Sequence, residues 1–285
     1  HYCGYPITEL ASFEPEDIIY LLFNKELPTA EQSVAIRQDL ASRAAIPGDL
    51  ESVLKALPKF GHPMDWLSVG IHTLGMLETT NDWKEDALNL IARMPRLMGL
   101  IFRIREGREE NIPADDTSLS MVERFVRTLD LHDSDDEKMK QIISTYLVLH
   151  MDHGGGNLST FTGKAIASSK ATVYSSMAGA MNALSGPLHG RANQSCLEFV
   201  LKVGTSDPVE VEAFVRAELK ANRPIFGFGH AVLRSEDPRA TVQFKLGSEI
   251  CPDDENFKIV TTLREVAPRV LAENPKISNP NANVD

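Results

Sequence analysis

Apolar residues recur three and four apart along the first two-thirds of the chain, the spacing of one face of a helix. After the break Pro47-Gly48-Asp49, residues Leu50, Val53, Leu54 and Leu57 stand at i, i+3, i+4 and i+7. Residues 14–22 begin with a proline and acidic side chains and continue with apolar ones at helical spacing. Thr29-Ala30-Glu31-Gln32 reads as a capping box that leads into Val34, Ile36 and Leu40. Residues 64–77, 83–105 and 119–129 repeat the pattern, and the short Pro, Gly and Asn connections between them suit close-packed antiparallel neighbours. No long alternating Val, Ile and Thr run appears and no repeat of fixed period is evident, so the pattern predicts an all-α protein.

Further along, residues 137–149 predict a helix that runs into His150-Met151-Asp152-His153-Gly154-Gly155-Gly156, where three glycines stop it. The next predicted helix covers 168–184. Its middle, Ser175-Ser176-Met177-Ala178-Gly179-Ala180, is small enough to let another helix approach closely. It stops at Ser185-Gly186-Pro187, just before His189. A helix over 209–219 precedes the glycine-punctuated loop Pro224-Ile225-Phe226-Gly227-Phe228-Gly229-His230. Composition shifts near residue 190, which suggests a large helical domain over 1–190 and a smaller one over 191–285.

The chain has 285 residues, 42% of them hydrophobic, enough for a full core and two domains. A net charge of −11 argues against nucleic acid as a partner, because phosphate binding needs a surplus of Lys and Arg, although a local basic pocket is still allowed. Three scattered cysteines, Cys3, Cys196 and Cys251, suggest a reducing compartment. No apolar run approaches the roughly 20 residues that cross a bilayer, so no membrane is expected, and no signal peptide opens the chain. Both ends read as cut from a longer protein.

Among the histidines, His1, His62, His72 and His132 have no chemical neighbours in sequence. His150 and His153 lie three apart and would share a helix face, where a metal is conceivable. No Glu follows His150 as in a zinc protease and no Cys is near, so no metal is expected, and His150 reads as a structural hydrogen-bonding residue at a helix end. His153, His189 and His230 all sit at glycine-flanked breaks, where a ligand can approach the backbone. Arg234 and Arg239, five apart, could hold two anions. The bland alternative pairs them with Glu236 and Asp237 at the surface.

These residues carry a resemblance. His150-Met151-Asp152-His153-Gly154-Gly155-Gly156-Asn157, Gly186-Pro187-Leu188-His189-Gly190-Arg191-Ala192-Asn193-Gln194, Gly227-Phe228-Gly229-His230-Ala231-Val232-Leu233-Arg234, Asp237-Pro238-Arg239 and Asn283-Val284-Asp285 are similar, in order and spacing, to citrate synthase motifs. Gly4-Tyr5-Pro6-Ile7, Glu26-Leu27-Pro28-Thr29 and His62-Pro63-Met64 extend the likeness to the start of the chain. The stretch Ala231 to Arg234 leans towards the branch that includes the mitochondrial enzymes.

The resemblance implies a homodimer of all-helical, two-domain subunits that condense acetyl-CoA with oxaloacetate in the cytoplasm of a bacterium or, alternatively, in the mitochondrial matrix. No cofactor is implied, because coenzyme A arrives on the substrate. His189 would hydrogen-bond the thioester carbonyl, His230 would polarise the ketone, and Asp285 would be the general base. His153, Asn157 and Arg239 would bind substrate carboxylates. Arg234 and the backbone at Ile225, Gly227 and Gly229 would lie near the CoA nucleotide. The segment Asn279-Pro280-Asn281-Ala282 lacks the usual bulky residues, which is expected to weaken the packing of its loop. The family also has a further helical segment beyond the position of Asp285, carrying more citrate-binding arginines. 2-Methylcitrate synthase, using propionyl-CoA, has the same motifs, and a non-catalytic helical interaction protein is the alternative from another class.

Overall fold

The computed structural model describes residues 1–131, 135–187, 189–229 and 233–284. Every named element among them is helical, and the extended pairing is confined to two isolated bridges, Tyr2 with Tyr5 and Phe228 with Ala282. The all-α expectation is met. The chain divides into two compact units, one formed by His1–Tyr5 with Ser12–Gly186, the other by Pro6–Ala11 with Pro187–Asp285.

The helices of the first unit are α2 (Pro15–Asn24), α3 (Ala30–Arg43), α4 (Gly48–Ala56), α5 (Pro63–Glu78), α6 (Trp83–Arg105), α7 (Met121–Leu129), α8 (Asp136–His150), α9 (Leu158–Ala167) and α10 (Val173–Leu184). Thr29 and Gln32 complete the capping box at α3, and Ser120 and Glu123 make a second one at α7. His62, bland in sequence, caps α5 by accepting from Met64 N at 3.2 Å. Leu54, Ile71, Leu74, Leu97 and Ile104 form one fully buried cluster with Tyr174, each worth roughly 1.5–3 kcal/mol on burial.

The helix expected over 168–184 starts later, at Val173, and residues 168–172 connect it to α9. Lys170 takes φ 64° in the turn after α9, and Thr172 then caps α10 by accepting from Ser175 N at 3.1 Å. Hydroxyl residues here compete with the helix for backbone groups and break it. The small residues of α10 do admit a neighbour, which is α9. A Cβ on Gly179 would lie 2.1 Å from Ile166 Cδ1.

The second unit comprises α1 (Ile7–Leu10), α11 (Ala192–Val203), α12 (Pro208–Lys220), α13 (Pro238–Ile250) and α14 (Glu255–Ala272). Its core joins Phe199, Val211, Val215, Ile259, Leu263 and Val266. The short helix α1 packs on α13, so a segment near the start of the chain belongs to the unit built from its end.

Candidate active site

In the second unit, Ile225 is buried in the core and anchors the start of the glycine loop. Gly227 and Gly229 have φ of 80° and 81°, a left-handed backbone that L side chains resist. These two turns aim the loop along the segment that runs towards Asp285. Gly229 N donates to Asn281 O at 2.9 Å, and Asn283 N donates to Gly227 O at 2.9 Å. Phe228 and Ala282 face each other between these bonds. They form the non-hydrogen-bonded pair of a short antiparallel ladder, so the N–H and C=O of Phe228 point away from it.

Asn283 Nδ2 adds a bond to Gly229 O at 3.0 Å. Asn279 Nδ2 donates to Leu233 O and Ser235 O, each at 3.1 Å. Asp237 N reaches Ala282 O at 3.2 Å. The expectation of weak loop packing here is corrected, because amide bonds and the buried Ala282 hold the segment where bulk is lacking.

Asp237, 1% exposed, caps α13 by accepting from Arg239 N at 2.9 Å. Its carboxylate also takes Arg239 Nε at 3.0 Å and Nη2 at 2.6 Å. The Nη1 amine lies outside that pair. Half of the bland ion-pair alternative is therefore present, between Arg239 and Asp237. Glu236 instead binds Arg264 at 2.5 Å and accepts from Thr241 at 2.7 Å. Burial pushes the Glu236 carboxyl up, but Arg264 and Thr241 outweigh it and hold it below its ordinary value. Arg234 is exposed. His189 is half-buried in the turn before α11, and its carbonyl accepts from Ala192 N at 3.0 Å.

His153 and Asn157 belong to the first unit. His153 is exposed beside the glycine run, with Nδ1 3.4 Å from Gly154 O. Asn157 caps α9, its Oδ1 accepting from Ser159 N, Thr160 N and Ser159 Oγ at 3.1, 3.3 and 2.6 Å. His150 Nδ1 donates to Tyr146 O at 2.7 Å and its ring stacks on that of Tyr146, the structural role expected for it. His230 and Asp285 lie outside the described residues. Among the described residues no three His, Cys, Asp or Glu side chains are grouped as a metal would need. Cys3, Cys196 and Cys251 are not joined in disulfides. Among the described residues no helix is long and apolar enough to cross a membrane.

The clasp made by Asn279 and the helix-capping role of Asp237 carry no strong sequence signal. The available signal was a polar residue before Pro280 and another before Pro238, positions that favour turns and helix starts.

A family profile described as "Citrate synthase, C-terminal domain" matches residues 1–285. The "Citrate synthase 4, mitochondrial" of Arabidopsis thaliana is 36% identical over 290 residues, covering 95% of this chain and 60% of that protein. The "2-methylcitrate synthase, mitochondrial" of Yarrowia lipolytica is also 36% identical over 290 residues, covering 95% and 62%. Among solved structures, the citrate synthase of Thermotoga maritima superposes with a TM-score of 0.85 at 29% identity, covering 99% of this chain and 74% of that one. The chain thus spans 60–62% of the length of these two curated relatives.

Proposed function

The chain belongs to the citrate synthase family, and from that premise we propose that it carries the greater part of a site condensing acetyl-CoA with oxaloacetate and water to citrate and CoA. It acts as an acyltransferase that converts the acyl group to alkyl on transfer. His189 donates to the thioester carbonyl, His230 to the ketone oxygen, and Asp285 removes the methyl proton. A carboxylate of pKa about 4 is a feeble base for a thioester methyl. The transfer becomes feasible when a placed donor stabilises the developing enolate, which is the task of His189. His153, Asn157 and Arg239 take the substrate carboxylates. Asp237 fixes the Arg239 guanidinium through its Nε and Nη2. Arg234 and the loop backbone at Ile225, Gly227 and Gly229 receive the CoA nucleotide. The carbonyl of Gly227 and both backbone groups of Gly229 are bonded within the ladder, so Phe228 offers the outward N–H and C=O of that loop. No further cofactor is needed, since CoA is carried by the substrate.

The observation that supports this reading best is the bond from Asn283 Nδ2 to Gly229 O. It ties the residue one before position 230 to the residue two before position 285, the two positions assigned an electrophile and a base. A homodimer is part of the proposal. Val69, Met76, Leu77, Phe161 and Met177 are exposed apolar side chains on α10 and on α5 and α9, which each pack against α10, and they suit burial against a second copy. The compartment proposed is the bacterial cytoplasm, with the mitochondrial matrix as the alternative.

Steady-state rates of the full-length protein with acetyl-CoA and propionyl-CoA test the substrate choice. A clear propionyl preference would turn it to methylcitrate formation, and no condensation with either would leave the interaction-protein reading. His189→Ala should lower turnover about a hundredfold, as for loss of one oxyanion donor. Unchanged turnover would sink the mechanism.

A further inference from the structure

Asn279 is 3% exposed, and its amide is fully engaged. Besides its two donated bonds to Leu233 O and Ser235 O, its Oδ1 accepts from Asn281 N at 3.0 Å and Asn281 Nδ2 at 3.1 Å. Both donors and both lone pairs are used. The carbonyls it holds lie three and five residues after position 230. On the other side of that position, Gly229 is held by Asn281 and Asn283. The chain before and after residues 230–232 is therefore tied to one segment, 279–283, which leads directly to Asp285.

We propose that Asn279 is a positioning residue for the condensation: its amide sets the spacing between the chain segment that carries His230 and the one that carries Asp285. The proposal rests on the condensing-enzyme reading above. An amide suits the task because it must donate twice to carbonyls and accept twice from the neighbouring turn. A carboxylate of the same shape keeps the acceptors but sets negative charge against Leu233 O and Ser235 O. A misplacement of about 1 Å between reacting groups is enough to cost on the order of a hundredfold in rate.

The test is Asn279→Asp in the full-length protein, with kcat and KM followed from mildly alkaline to mildly acidic pH and the folded fraction read by circular dichroism at each pH. The expected result is a kcat about a hundredfold below the parent at alkaline pH, with KM for both substrates nearly unchanged. The deficit should shrink towards acidic pH, where the introduced carboxyl gains a proton and can donate again. Parental kcat throughout would overturn the proposal. So would a kcat that merely follows the folded fraction, which would make Asn279 a structural residue only. If Asn279→Asp does not fold, Asn279→Ser, which keeps a single donor, is measured at one pH and judged by kcat against KM and folded fraction. A parent protein that condenses neither acyl-CoA overturns the reading itself, and the proposal with it.

Discussion

Around Gly75 and Gly179 in the first unit, glycines make room; around Gly227 and Gly229 in the second, they turn the backbone. A Cβ on Gly75 would stand 2.6 Å from Tyr174 Cβ, so the Tyr174 side chain of α10 packs directly on the bare backbone of α5. A Cβ on Gly229 would meet only Asn279 O, at an ordinary 3.5 Å, yet its φ of 81° excludes most residues. One region is held by volume, with Leu97, Ile71 and Tyr174 filling the space. The other is held by directed bonds between amides and carbonyls. A packed region fails by clash or cavity. A bonded one fails when a buried donor or acceptor is orphaned.

That contrast can be broken at its strongest point first. Gly75→Ala should destabilise the protein by about 3 kcal/mol, since Tyr174 Cβ sits on the backbone and cannot swing away. Equilibrium urea unfolding measures it, and a loss below about 1 kcal/mol would mean that the helices separate easily. Gly229→Ala should cost about 1–2 kcal/mol through backbone strain alone, and should lower turnover more than its stability loss explains, because the ladder beside positions 230 and 285 shifts.

A smaller effect sharpens the first. Gly179→Ala meets Ile166 Cδ1, the far end of a side chain that can rotate, so the loss should be about 1 kcal/mol. Adding Ile166→Val, which removes that methyl, should recover most of it. The smallest effect is electrostatic. Lys140, the Ser120 backbone N–H and the Ser120 hydroxyl hold the Glu123 carboxyl down at about 2. Its folded-state value lies below its unfolded one, so its stabilisation is present above the ordinary carboxylate range and lost as pH falls towards 2. Glu123→Gln should flatten that part of the stability–pH curve and cost about 0.5 kcal/mol at neutral pH, since the pair is partly exposed.

Much of the helical framework was legible along the chain because its signals are local. The capping box at Thr29, the break at Pro47-Gly48 and the stripe from Leu50 to Leu57 each depend on residues within two turns of one another. Helices α11, α13 and α14 were less visible. Charged residues interrupt their stripes, and a proline stands inside α14. The turn between α9 and α10 was read as helix because hydroxyl residues have no clear preference until Thr172 caps the second helix.

The candidate site divides in the same way. The histidines and arginines beside glycine breaks could be named from sequence, since such residue types at such breaks carry their chemistry with them. The pairing of residues 227–229 with 281–283 could not, because more than 50 residues separate partners whose bonds leave no periodic trace. By itself the sequence determined the helical class, the family resemblance and the residue types available for chemistry, all of which follow from neighbours along the chain. Only the tertiary structure decided that Asn279 is a buried clasp, that Asp237 holds Arg239, and that residues 6–11 belong to the second unit. Each of these depends on which distant carbonyl, guanidinium or helix face folding brings within bonding distance.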